Sequence, residues 1–250
     1  MKLAAATVAG LLVLGAAWRG CEQSRARPGK QRSAWWGWWR PAGGAGAASG
    51  GGGLAPVAAD AMCVTLGGVQ PMPGGRIRVS DSKVRGYGVR SDGKAAELRF
   101  VYRGPSAGTS RLGSGKLFRQ LGLKLAAQDG CNVLYVMWRL EPATGIEVLV
   151  KRNPGQSVHS ECGNRGYRKV KPASARPVPR LEPGSAHRLA AELDGARLTA
   201  RVDGEPVLEA DVGDLGFSGQ AGFRTDNVDA ELELLASASD SAVPCSRGGD

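Results

Sequence analysis

The chain has 250 residues, five cysteines and a net charge of +10, a length that allows one or two domains. A basic chain suits a nucleic-acid partner, but the distribution speaks against one. Residues 1–60 hold seven Lys and Arg against Glu22 and Asp60, the densest basic run is Arg19–Arg40, and later Lys and Arg mostly alternate with apolar residues, as on a solvated sheet face.

Residues 1–20 read as an export leader. Lys2 supplies the positive start, and Leu3–Ala17 is an uncharged apolar run, shorter than the roughly 20 residues that span a bilayer. Gly15-Ala16-Ala17 ends it with the small residues that signal peptidase prefers, the favoured ending. Lipid attachment at Cys21 is the alternative, although Trp18 and Arg19 suit a lipobox poorly. Either route predicts an exported protein, whether secreted, periplasmic or a membrane-attached lipoprotein. Export in turn predicts disulfides. With Cys21 set aside, Cys63, Cys131, Cys162 and Cys245 form an even set with three pairings open. No Cys-x-x-Cys occurs and His159 with Cys162 is the tight His/Cys pair, so no metal site is expected.

Residues 21–61 read as a disordered tether, because Ala42–Gly53 has nothing to bury. Trp35, Trp36, Trp38 and Trp39 stand before it between Arg32 and Arg40. Indole rings favour the membrane–water interface and arginine favours anionic headgroups, so this tract predicts contact with a membrane surface. The competing reading is compositional accident.

From residue 62 to 236 the pattern is all-β. Lys83–Arg90 and Ala95–Arg103 flank a turn at Ser91-Asp92-Gly93, with Leu98, Phe100 and Tyr102 sharing one face. Leu117–Gln128 follows, with Leu117, Arg119, Leu121, Leu123 and Leu125 on one side. Asp129-Gly130 turns the chain into Asn132–Leu140, where Leu134, Val136, Trp138 and Leu140 face inward and Val133, Tyr135, Met137 and Arg139 outward. Gly145–Lys151 puts Ile146, Val148 and Val150 inward, and Glu147, Leu149 and Lys151 outward. Residues 152–186 read as one long loop, since Pro172, Pro177, Pro179 and Pro183 forbid helix and discourage central strand.

Residues 187–235 carry the strongest signal. Asp194-Gly195 and Asp203-Gly204 separate alternating runs and predict hairpins, giving strands near 187–193, 196–202, 206–210, 220–225 and 229–235. About eleven short strands with no helix of normal length predict a two-sheet antiparallel sandwich or jelly roll, followed by a tail over 237–250. Some 190 residues bury enough surface to need no metal or cofactor.

His187-Arg188-Leu189, Val202-Asp203-Gly204 and the run Gly219-Gln220-Ala221-Gly222-Phe223-Arg224-Thr225-Asp226-Asn227 resemble the closing strands of concanavalin A-like lectin/glucanase domains, including laminin-G-like and 3-keto-disaccharide-hydrolase-type members. The resemblance implies a jelly roll with one concave sheet, which in many relatives holds a saccharide. It covers about 62–236, although only the last fifty residues are distinctive. In lectin-like sandwiches the two chain ends lie side by side, which favours Cys63–Cys245; Cys131–Cys162 is the other favoured pair.

Function is less legible, because this architecture hosts lectins, hydrolases and adhesion modules alike. Glycoside hydrolysis needs two carboxyl groups across the scissile bond. The retaining glucanases of the superfamily carry them in a Glu-x-Asp-x-Glu-like run. Glu192-Leu193-Asp194, Glu209-Ala210-Asp211 and Glu231-Leu232-Glu233 each lack the third acid. No Gly-x-Ser-x-Gly elbow accompanies His159 or His187. No catalytic residue is therefore assigned. A monomeric saccharide- or glycoconjugate-binding module is the leading expectation, ahead of a 3-keto-disaccharide-type hydrolase and of an adhesion domain with a protein partner. Candidate ligand residues are Lys124, Tyr135, Arg139, Glu147 and Lys151 on the outward hairpin face, where a ring beside polar groups suits a sugar. Arg224, Asp226 and Asn227 at the end of the closing run are the second set.

Overall fold

The computed structural model describes residues 53–246. The leader 1–20, Cys21, the tract of Trp35, Trp36, Trp38 and Trp39, and the tether as far as residue 52 lie outside the described residues, as do 247–250. Sixteen strands follow in order: β1 Ala55–Pro56, β2 Met62–Leu66, β3 Gln70–Pro71, β4 Ile77–Val79, β5 Lys83–Gly88, β6 Ser91–Pro105, β7 Arg119–Ala127 and β8 Val133–Glu141, then β9 Gly145–Lys151, β10 Tyr167–Lys169, β11 Ser174–Ala175, β12 Ala186–Asp194, β13 Arg197–Val202, β14 Glu205–Asp211, β15 Gln220–Asp226 and β16 Val228–Ala238. Among the described residues one four-residue α-helix, α1 His159–Cys162, and two 3-10 turns, Ala59–Ala61 and Pro73–Gly75, interrupt them.

The strands form two antiparallel sheets. Seven run in the order β10-β9-β8-β7-β15-β5-β2; the other sheet has nine, ordered β11-β14-β13-β12-β6-β16-β4-β3 with β1 beside β16. The layers face each other through the expected inward residues. Leu121, Leu123, Leu125, Leu134, Val136, Trp138 and Phe223 of the smaller sheet meet Leu98, Phe100, Leu189, Leu198, Ala200 and Leu232 of the larger in one core. Phe100 and Trp138 pack edge-to-face across the layers, ring centroids 5.6 Å apart, the geometry the ring quadrupoles favour.

Several local readings change. The turn expected at Ser91-Asp92-Gly93 falls at Val89-Arg90, and β6 already begins at Ser91. Gly93 serves a close crossing instead. Its N–H donates to Gly219 O at 2.9 Å, and a Cβ there would stand 2.4 Å from Ala126 N. At the first Asp-Gly the turn is Gly195-Ala196, with only Gly195 at positive φ, whereas Asp203 and Gly204 both take positive φ as a primed turn requires. Leu117, expected inward, lies outside β7 and is exposed. Residues 55–61, read as the end of the tether, are ordered: Val57 N donates to Leu234 O, and Val57 and Ala59 pack on the core. The 152–186 segment, read as one loop, contains α1, β10 and β11.

Both favoured disulfides form, Cys63–Cys245 and Cys131–Cys162, with sequence separations of 182 and 31 residues. Chain entropy makes the longer closure worth about 5 kcal/mol and the shorter about 4 kcal/mol. Replacing Cys63 and Cys245 together by Ser should therefore lower the unfolding free energy at least as much as the same change at Cys131 and Cys162. Urea unfolding of the two double variants checks the order.

Candidate functional site

The alternation that sends leucines into the core sends a different set to the outer face of the seven-stranded sheet. Register places these residues in cross-strand rows. The first row is Tyr87, Gly222, Lys124, Tyr135, Leu149 and Lys169. The second is Arg85, Arg224, Gly122, Met137 and Glu147. The third is Lys83, Asp226, Gln120 and Arg139. Val133, Lys151 and Tyr167 form a further row on the other side of the first. Gly122 and Gly222 leave gaps in the side-chain layer. A Cβ at either would stand 2.2 Å from a neighbouring strand's carbonyl oxygen.

This face is not the solvated surface that its polar composition suggests. Lys124, Gln120, Tyr135, Lys151 and Asp226 are all nearly fully buried, and Ala127, Val133, Tyr135 and Met137 form a second apolar cluster there. The buried charges are arranged around Asp226. Arg85 donates to its Oδ1 at 2.6 Å, while Arg224 and Gln120 donate to its Oδ2 at 2.9 and 2.8 Å. Burial alone would raise this carboxyl; the guanidiniums of Arg224 and Arg85 and the Gln120 amide override it and bring it down to about 2. Burial, then repulsion from Arg224, pulls Arg85 below the usual arginine range.

An aromatic ladder continues from Arg224. Its guanidinium carbon lies 5.0 Å from the Tyr135 ring centroid, Tyr135 stacks on Tyr167 at 6.2 Å, and Lys151 Nζ lies 5.4 Å from the Tyr167 ring. Tyr135, expected as the stacking ring, is thus already engaged, and Tyr167 is the exposed ring of the pair. Arg139 pairs with Glu147 and lies 4.1 Å over the Phe118 ring, while Lys169 reaches the other Glu147 oxygen at 2.7 Å. Lys151 donates to Gly130 O at 2.6 Å and lies 3.3 Å from His159 Nδ1.

Asn227 departs from this face. Its Oδ1 accepts from Ser110 N, and its Nδ2 donates to Ser110 O and Phe118 O. The positive φ of Asn227 and these bonds make it a clasp for the chain entering β7. Among the described residues no three His, Cys, Asp or Glu side chains gather to hold a metal ion.

Among the described residues, the cavities that adjoin the sheet include two of ligand size. The larger, about 480 Å³, has Lys124, Tyr87 and Gln220 among its lining residues. Val243, Pro244 and Ser246, next to Cys245, line it as well, as do Gly130, Ser157 and Val158. Tyr87 Oη donates to Pro244 O at 3.0 Å, and Gly130 N to Ser157 O at 3.2 Å, so each disulfide-linked segment is also hydrogen-bonded in place. A second, polar cavity of about 330 Å³ lies around Asn132, Arg152 and Gln156.

Of the sequence-predicted residues, Lys124, Tyr135, Arg139, Glu147, Lys151, Arg224 and Asp226 converge on this one face. Arg85, Tyr87, Gln120, Tyr167 and Lys169 join them without having been singled out. Alternation within Lys83–Gly88 exposes Arg85 and Tyr87 as a same-face pair, but only the β5–β15 pairing brings them to Asp226.

No protein-family model matches the chain, and no curated protein matches its sequence. Among solved structures, a carbohydrate-binding module, CBM66, from Bacillus subtilis is 15% identical, with a TM-score of 0.48 over 72% of this chain and 94% of that one. The exoplasmic/lumenal domain of VIP36, bound to Ca2+ and Man3GlcNAc, is 13% identical, with a TM-score of 0.45 over 76% and 93%. The Crh5 transglycosylase in complex with NAG is 16% identical, with a TM-score of 0.42 over 73% and 81%. At these identities and TM-scores the likenesses carry nothing about ligand or activity for this chain.

Asp226→Asn should destabilise the protein by about 3–5 kcal/mol at neutral pH, because two buried guanidiniums lose their carboxylate. The carboxyl is depressed on folding, so its stabilisation, about 2 kcal/mol, is present above pH 4 and lost as pH falls toward 2. Urea unfolding between pH 7 and 2 should show that acid loss in the parent chain and a shallower one in the variant.

Proposed function

We propose that this chain is an exported, non-catalytic saccharide-binding module whose ligand lies on the outer face of the seven-stranded sheet. The observation that carries the reading is a pair of buried polar atoms on this face. Gln120 Oε1 and Arg139 Nε have no hydrogen-bond partner among the described residues. The Gln120 amide cannot simply turn over, since its Nε2 is committed to Asp226. An unpaired buried acceptor and an unpaired buried donor are costly unless a ligand completes them, and sugar hydroxyls do both. Tyr167 adds an exposed ring face for the apolar side of a sugar.

Acid–base catalysis is the weaker reading. A glycosidase acid needs a carboxyl raised toward neutrality. Asp226 is lowered instead, and Glu147 is held by Arg139 and Lys169. Two disulfides support the export part, because they persist in oxidising compartments.

A glycan array probed with the full chain tests the proposal. At least one saccharide class should be retained, and Tyr167→Ala should weaken that binding about threefold to tenfold, the worth of one ring contact. Retention of no saccharide overturns it.

A further inference from the structure

We infer that the Cys63–Cys245 disulfide is a redox-operated latch on the 480 Å³ cavity: its reduction frees the strap over residues 243–246 from the cavity margin and leaves the rest of the fold in place. The latch goes beyond the saccharide-binding reading and does not depend on it.

Two contrasts between the disulfides lead to it. The first is access. Thiol–disulfide exchange is an in-line displacement, so the attacking thiolate approaches one sulfur from the side opposite its bonded partner. Cys245 is exposed while Cys63 is 1% exposed, which leaves that approach open on the Cys245 side. Cys131 and Cys162 are both 0% exposed, so their bridge offers neither sulfur. A thiolate of an external dithiol therefore attacks Cys245 Sγ. The Sγ–Sγ bond breaks, its electron pair leaves on Cys63 Sγ, and that sulfur takes a proton. The second thiolate of the dithiol then displaces Cys245 Sγ, which is protonated in turn. The protein gains two electrons and two protons, and the dithiol closes to its own disulfide.

The second contrast is what holds each segment once its bridge opens. Residues 240–246 form neither strand nor helix. Within the strap, Val243 N donates to Val89 O at 2.9 Å, Tyr87 Oη donates to Pro244 O at 3.0 Å, and Ser246 N reaches the same Tyr87 oxygen at 3.5 Å. Val243 is half-buried and the other three residues are exposed. A segment with so few buried contacts and with exposed backbone bonds opens at low free-energy cost. Cys162 lies instead in α1, where Glu161 accepts from Ser157 N and Val158 N. Asn153 Nδ2 donates to both Cys131 O and Arg165 O, and Asn132 Nδ2 donates to Gln156 O. That segment is held without its sulfurs. Val243, Pro244 and Ser246 line the cavity, so freeing them removes one side of it.

The test treats the folded full chain with rising concentrations of dithiothreitol and blocks the new thiols by alkylation. Mass spectrometry then reads each cysteine peptide separately, so Cys21 does not enter the count. Cys63 and Cys245 should be labelled together, and about tenfold or more faster than Cys131 and Cys162, because exchange rates follow access to the attacked sulfur. Hydrogen exchange on the selectively reduced chain should then speed up about tenfold or more at the Val243 amide, while Leu98, Leu123 and Phe223 keep their protection. A saccharide that the chain retains should change its affinity about threefold or more on that reduction, and reoxidation should restore it. Labelling of Cys131 and Cys162 first, or at the same rate, overturns the inference. A Val243 amide that stays protected also overturns it, because the strap is then not released. Loss of protection in the core strands does the same, because the bridge is then a staple of the whole fold. A saccharide affinity unmoved by reduction overturns control of the cavity and leaves the saccharide reading standing. If no saccharide is retained, the saccharide reading fails alone, and labelling and exchange still decide the latch.

Discussion

The central strands of the seven-stranded sheet are out of water on both sides, and that condition governs the molecule. A strand buried on one face can leave its alternate residues to solvent. Here β7, β8 and β15 bury Leu121, Trp138 and Phe223 on one side and Gln120, Tyr135 and Asp226 on the other. Charged groups on the second side therefore cannot rely on hydration. Asp226 is the local answer, since one carboxylate holds two guanidiniums and an amide in fixed positions. Tyr135 extends the arrangement by accepting Arg224 near its ring and Tyr167 against it.

Walls follow from the same condition. A polar layer kept from bulk water needs chain at its margins, and two connections reach it, one over residues 243–245 and one over residues 153–162. Val243 N donates to Val89 O, and Cys245 is bonded to Cys63 on β2, the edge strand. Asn132 Nδ2 donates to Gln156 O, and Asn153 Nδ2 to Cys131 O, beside the Cys131–Cys162 bridge. Each wall is thus tied covalently and by backbone acceptors.

Alternation made the fold legible in advance. Residues 132–140 disclose both of their faces, because Leu134, Val136 and Trp138 are strongly apolar and the intervening residues are mixed. The Val202-Asp203-Gly204 signal is equally local and matches the backbone found. Ser91-Asp92-Gly93 misleads for a tertiary reason: its glycine answers to Ala126 and Gly219, remote in sequence, and not to a turn. The residues of the outer sheet face are legible where they lie on strands with strong inward patterns, as Lys124, Tyr135 and Glu147 do. Tyr167 was hidden because β10 is three residues long and sits among glycines and prolines, so its strand exists only through pairing with β9. Asn227 was misjudged because an Asx residue at a strand end looks the same whether it faces a ligand or clasps a loop. The Arg85–Asp226 contact joins residues 141 apart, and no local pattern encodes it.

The cost of this face bears on what it is for. Apolar residues of similar volume in place of a buried ion cluster are often neutral or stabilising. The neighbouring Val133 and Met137, both fully buried on the same side, demonstrate that this layer accepts apolar packing. Arg85, Arg224 and Lys124 in the same layer therefore do not follow from the needs of folding. They also supply what acid–base chemistry least needs, a carboxylate that two guanidiniums and an amide hold well below the usual range. Buried polar groups whose orientation is fixed by their neighbours, as Asp226 fixes Arg85, Arg224 and Gln120, suit recognition of a polar ligand better than they suit proton transfer.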